Sequence, residues 1–239
     1  MVELILAASA TALATGLGAI PVFLLGTRAA ALTPFLLGIA GGVMGVASVA
    51  GLILPALDEG SAGEVAGGLV VGVAFLLLAR RWIDGRDEVP LGAGRTSLLV
   101  FAVLFVHSLP EGFAIGTAYA SETAGLGLFV VLAIAIQNIP EGTSVAIPMA
   151  AEGQGPARQF WAAVGTSVPQ PIGAVIAFLL VEEISALLPI SFAFAAGAML
   201  ALVVVEVMPD ALRARASGAI AGFVAGAAVM VALSAVLGV

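Results

Sequence analysis

His107-Ser108-Leu109-Pro110-Glu111-Gly112 and Gln137-Asn138-Ile139-Pro140-Glu141-Gly142 are one phrase written twice, thirty positions apart, each inside a long apolar run. Each copy sets a polar residue and a glutamate at i and i+4, so both project from one face of a helix. The proline before each glutamate removes a helix hydrogen bond and frees the carbonyl one turn earlier, Val106 in one copy and Ile136 in the other. A carboxylate, a nitrogen or amide ligand and a bare carbonyl at one depth make a cation site if the surrounding runs cross a membrane.

The composition says that they do. Of 239 residues, 62% are hydrophobic and 10% charged, with a mean hydropathy of +1.21; an ordinary soluble domain carries about 25% charged residues. A membrane helix needs about 20 mainly apolar residues to cross hydrocarbon. Eight such runs are legible: Leu4–Leu25, Leu32–Leu57, Val65–Trp82, Thr96–Tyr119, Ala124–Ala150, Phe160–Val181, Leu187–Pro209 and Ala216–Val239. They take up nearly the whole chain, so residues 1–239 read as a single all-α transmembrane domain. The absence of cysteine excludes disulfides and thiolate metal sites. The first run carries Glu3 and no basic flank, so it reads as a retained helix rather than a cleaved signal.

Arginines set the orientation, since there is no lysine. Arg28, Arg80, Arg81, Arg86, Arg95, Arg158, Arg213 and Arg215 all fall on one side of the eight runs. The opposite side carries only acids: Glu3, Asp58, Glu59, Glu64, Glu122, Glu182 and Glu183. The positive-inside rule places the arginines in the cytoplasm and both termini outside. An acidic outer face would concentrate cations electrostatically; plain solvation of loop ends explains it equally well. Between runs three and four, Ile83–Arg95 is short, polar and glycine-bearing, and reads as a loop.

Other runs echo one another. Gly42-Val43-Met44 followed by Pro55 in run two resembles Gly197-Ala198-Met199 followed by Pro209 in run seven, with the spacing slipped by one residue. Thr15–Pro21 in run one is glycine-rich and permits close packing and a bend; Gly165–Pro171 in run six is a second proline-broken polar segment. Paired segments of opposite direction are the signature of inverted repeats, whose carriers bind substrate near the midplane on interrupted helices.

Charged side chains near mid-bilayer cost at least about 2.5 kcal/mol each and mark ion paths. Glu111, Glu141 and Glu206 are that deep or nearly so, without a basic partner at that depth in the sequence pattern. Two facing carboxylates repel, and a divalent cation relieves the repulsion. An imidazole, His107, and a thioether, Met44, favour a borderline or soft first-row metal over magnesium or calcium. Zn²⁺, Cd²⁺, Fe²⁺ or Mn²⁺ is therefore the expected cargo, bound as substrate and not as a cofactor. Met44 could equally be packing, Gln137 and Asn138 interhelical glue, and His107 a structural hydrogen-bonder. Glu206, Asp210 and, at the other mouth, Asp58 are candidate gate residues. An intramembrane hydrolase would want His-Glu-x-x-His or paired deep aspartates, which the chain lacks, so no enzyme is expected. A proton- or alkali-ion-coupled carrier of an organic solute stays open as the alternative.

These motifs resemble the ZIP (Zrt-, Irt-like) divalent metal transporters, in particular their prokaryotic GufA-like branch. The resemblance is carried by Thr15–Pro21, Met44 with Leu52–Asp58, His107–Gly112, Gln137–Gly142, Pro169–Gly173 and Gly197–Pro209. It implies eight transmembrane helices in a 3+2+3 inverted-repeat bundle, a multi-pass protein of the cell membrane, a homodimer, and elevator-type exchange that moves metal into the cytoplasm; no nucleic-acid partner is expected. It assigns the primary site to Met44, His107, Gln137, Asn138 and Glu141, with Glu111 beside it. A second adjacent site is reduced to a remnant, because Ser108 and Gln170 stand where relatives carry an asparagine and a glutamate. One tightly held metal is expected rather than two.

Overall fold

The computed structural model describes residues 1–84, 95–121 and 123–239. Most of the expected three–four loop, with Arg86, and Glu122 lie outside the described residues. Every regular element among the described residues is helical. In order these are α1 Val2–Leu17, α2 Ile20–Leu25, α3 Thr33–Ser48, α4 Leu54–Glu59, α5 Ala62–Asp84, α6 Arg95–Ala120, α7 Leu126–Ala151, α8 Pro156–Thr166, α9 Pro169–Glu183, α10 Leu188–Leu202 and α11 Met208–Leu237.

Among the described residues, seven helical runs, not eight, are long and apolar enough to cross a membrane. The difference lies at the end of the chain, where Ser185–Leu237 is one run of 53 residues. At 1.5 Å per residue it spans about 80 Å, enough to cross twice. Its backbone leaves helical geometry at Arg215 (φ −166°, ψ 102°), between the seventh and eighth runs expected from the sequence.

The interruptions follow proline chemistry, in two different ways. Pro21 and Pro169 sit in the first turn of a new helix, after breaks at Gly18–Ala19 and Ser167–Val168, as the polar segments of runs one and six predict. Pro55 and Pro209 instead follow five-residue π-helical turns, Val49–Ile53 and Val203–Val207. A π-turn widens the helix where the ring would strike the carbonyl four residues back, so the chain continues without a break. The echo between runs two and seven thus extends to backbone geometry. Pro110 and Pro140 lie inside uninterrupted α6 and α7, where neighbouring helices support a locally weakened ladder.

Two groups of helices result. In the first, α3 packs along α11 and α5 along α10; in the second, α6 packs along α9 and α1 along α7. The groups meet where α3 faces α7 and α10 faces α6. Exchanging α3 with α10, α5 with α11, α6 with α7 and α1 with α9 turns each of these pairings into another. Glycines set the tightest approaches. A Cβ on Gly142 would lie 1.7 Å from the Thr15 carbonyl oxygen, and one on Gly112 2.2 Å from that of Gln170. The last residue of each Pro-Glu-Gly phrase is therefore where another backbone crosses. Gly72 on Phe194 and Gly222 on Phe35 hold the first group in the same manner, each at 2.0 Å.

Candidate metal site

The two crossing points bring α1 and α9 against the paired glutamates. Glu111, Ser108, Gln137, Asn138, Gln170 and Met44 are essentially inaccessible to solvent; His107 and Glu141 are 4% and 5% exposed at the edge of the group. Glu111 is held by two carboxamides: Gln137 Nε2 donates to its Oε1 at 2.7 Å and Gln170 Nε2 to its Oε2 at 2.6 Å. Side-chain interactions also join it to Ser108 and Glu141. Gln170 Nε2 donates further to Asn138 Oδ1 at 3.2 Å, and Asn138 Nδ2 donates to the Thr11 carbonyl at 2.7 Å. Thr11 Oγ1 closes the network by donating to Gln170 Oε1 at 2.8 Å. A second hydroxyl pair, Thr15 and Ser167 at 2.6 Å, ties the two helix breaks together.

Three buried donor atoms stand outside this network. His107 Nδ1, Gln137 Oε1 and Glu141 Oε1 have no hydrogen-bond partner. Burying an unsatisfied polar atom costs about 1–3 kcal/mol, more for a charged one, so these three, on α6 and α7, are candidate cation ligands. An imidazole nitrogen, an amide oxygen and a carboxylate oxygen suit a borderline transition metal. Among the described residues no three His, Cys, Asp or Glu side chains form a metal-holding group on their own. The candidate donor set is mixed, with amides and a thioether beside the acids.

A cavity of about 240 Å³ is lined by His107, Glu141, Ser144, Glu206 and Asp210. It runs to the arginine-bearing end, where the exposed Asp210 carboxylate pairs with Arg213 at 3.2 Å. On its other side a narrow void is walled by Met44, Met199, His107, Pro110 and Glu111. Asp58, exposed on α4, lines neither space. Between it and the site, the buried Phe129 ring packs on Gly51 beside buried Leu52.

The structure thus gathers Met44, His107, Ser108, Glu111, Gln137, Asn138, Glu141 and Gln170, sets Glu206 and Asp210 along the adjoining cavity, and leaves Asp58 apart. Sequence reasoning missed three residues. Thr11 carries no motif and is identified only by the crossing of α1 and α7. Met199 repeats the Gly-x-Met pattern of Met44, and that repetition was the available signal. Arg80 reaches Glu206 from the end of α5, with an N–O distance of 3.5 Å; its service to orientation concealed any other role.

Comparison with known proteins agrees with the motifs. Residues 82–234 match the family model described as ZIP zinc transporter. The zinc transporter ZIPB of Bordetella bronchiseptica is 34% identical over 243 residues, covering 94% of this chain and 78% of its own. The zinc transporter GufA of Myxococcus xanthus is 31% identical over 218 residues, 84% of this chain and 85% of its own. A longer Arabidopsis thaliana protein named for zinc transport is 38% identical over 214 residues, 85% of this chain but 34% of its own length. The chain spans about a third of that plant relative and most of the two bacterial ones. With its paired Pro-Glu-Gly phrases, its mixed-donor site and these relatives, the chain belongs to the ZIP zinc transporter family.

Proposed function

We propose that this multi-pass membrane protein carries divalent transition-metal cations, zinc foremost, into the cytoplasm. Cadmium, iron(II) and manganese(II) are chemically admissible cargo. The observation that carries the reading is that His107 and Glu141, each with an unpartnered buried atom, line one cavity that reaches the arginine-bearing end, while Gln137, bonded to the neighbouring Glu111, carries a third. In this reading His107, Gln137 and Glu141 hold the metal, with Met44, Glu111 and Asn138 completing or orienting the site. Glu206 and Asp210 receive it on the way to the cytoplasm, and Asp58 meets it at the outer mouth. Eight spans in a 3+2+3 inverted-repeat arrangement, with both termini outside, are supported by the exchange-related packing, the paired π-turns and the kink at Arg215. The two groups of helices then correspond to the two bodies of an elevator-type exchange in a homodimer. Imidazole and carboxylate ligands must shed protons to bind metal, so uptake into reconstituted vesicles falls as the medium is acidified. Equal uptake at neutral and acidic pH would remove these ligands from the metal path.

One metal per chain is the expected stoichiometry. Gln170 spends its amide protons on Glu111 and Asn138, and these hydrogen bonds fill the position a second cation would need. Replacing that amide by a carboxylate, Gln170→Glu, turns a donor into an acceptor beside Glu111 and raises the bound metal to two per chain on titration of purified protein. Two equally tight metals in the parent chain would refute the single-site assignment.

A further inference from the structure

Arg80 has a role beyond marking the cytoplasmic end. It projects from the last turns of α5 toward the π-turn of Val203–Val207. There its guanidinium lies 3.5 Å from Glu206 Oε2 and donates to the Val205 carbonyl at 3.3 Å. Val205 stands four residues before Pro209, so it is the carbonyl that the proline ring leaves without a helical donor. The bulge therefore supplies a fixed anchor for Nη1, the same nitrogen that faces Glu206. Glu206 Oε2 is also 3.8 Å from His107 Nε2, and both side chains line the cavity below the metal site. An imidazole and a carboxylate this close, in a partly desolvated cavity, would bind a departing transition metal firmly. A pathway site conducts only if binding is weak enough to let the ion leave.

We propose that Arg80 is a tethered counter-cation, held on Glu206 until metal leaving His107 displaces it, so that Glu206 relays the metal instead of trapping it. This rests on the metal site proposed above. Arginine suits the task because its charge is permanent and its planar donors can hold a carbonyl and a carboxylate together. The metal must compete with a resident positive charge, which shortens its stay. When the metal moves on, the guanidinium, still anchored at Val205, returns to the carboxylate.

The test is the release of zinc from loaded protein in lipid nanodiscs, followed by rapid mixing with a chelating dye. Arg80→Gln slows release roughly tenfold, the size of a typical coupling between contacting charges, while leaving one metal at the upper site. Arg80→Lys, which keeps a cation in reach, stays closer to the parent. In a Glu206→Gln background Arg80→Gln has no further effect, because Arg80 acts only through that carboxylate. The double variant buries no unpaired charge, so this comparison remains available if Arg80→Gln alone does not fold. Unchanged or faster release in Arg80→Gln overturns the proposal, as does any difference between the double variant and Glu206→Gln. Failure of the underlying site looks different: Glu141→Ala, run in parallel, would then load zinc as well as the parent.

Discussion

Replacing Glu141 with alanine abolishes metal uptake in reconstituted vesicles, lowering the rate by at least about 100-fold, since loss of groups that merely orient metal ligands already costs 10–100-fold. The structure leaves one oxygen of this carboxyl group outside the hydrogen-bond network. Glu111 is held by Gln137 and Gln170, whereas Glu141 Oε1 has no hydrogen-bond partner. Removing a buried carboxyl group with an unpartnered oxygen relieves a desolvation penalty, so the metal-free variant is expected to be at least as stable as the parent. The diagnostic is therefore thermal. The parent gains about 2.7 kcal/mol when zinc is present at 100 times its dissociation constant, and Glu141→Ala gains nothing. A variant that folds, transports and is stabilised by zinc as the parent is would show that this carboxylate is not a ligand.

Gly142→Ala is expected to be as damaging, by a different route. Its Cβ would lie 1.7 Å from the Thr15 carbonyl oxygen, and a backbone atom cannot swing aside as a side-chain tip can. Overpacking a core typically costs about 1–3 kcal/mol; a backbone-to-backbone clash belongs at or beyond the upper end. Any separation of α1 from α7 that accommodated the methyl would also pull Thr11 from Asn138 and Gln170. Loss of folded protein on size-exclusion chromatography, or folded protein that no longer binds zinc, is the expected result. Gly67→Ala is the control: nothing lies within 4 Å of its new methyl, and it is expected to be silent. Similar behaviour of the two variants would show that the crossing is not as tight as drawn.

Much of this was legible before any coordinates. The doubled Pro-Glu-Gly phrase identified both glutamates and their helices, because i, i+4 spacing and apolar context are local properties. The breaks in runs one and six were readable from proline next to polar small residues, and the two–seven echo from Gly-x-Met and proline spacing. What could not be read was who crosses whom. Thr11 enters the site only because α1 crosses α7 at a glycine, and Gln170 serves as a clamp because α9 crosses α6 in the same way. Sequence alone did not say how each proline would be accommodated. In the fold Pro110 and Pro140 leave their helices unbroken, while Pro55 and Pro209 are accommodated by π-turns, a choice made by surrounding packing. The span count differed because the seventh and eighth expected runs follow one another with only a kink at Arg215 between them.

The placement of the glycines bears on where the molecule can shear. Among the described residues, every glycine whose added Cβ would come within 2.5 Å of another helix's backbone, from Gly18 against Ile139 to Gly226 against Ile39, joins helices of the same group. Across the seam between groups the contacts are made by side chains, as where the Phe129 ring rests on Gly51. Interlocked main chains resist sliding, whereas rings and methyls can re-seat one notch along. In the proposed exchange the fault line would follow the positions that lack a side chain, and α6 and α7, with their candidate ligands, lie together on one bank of it.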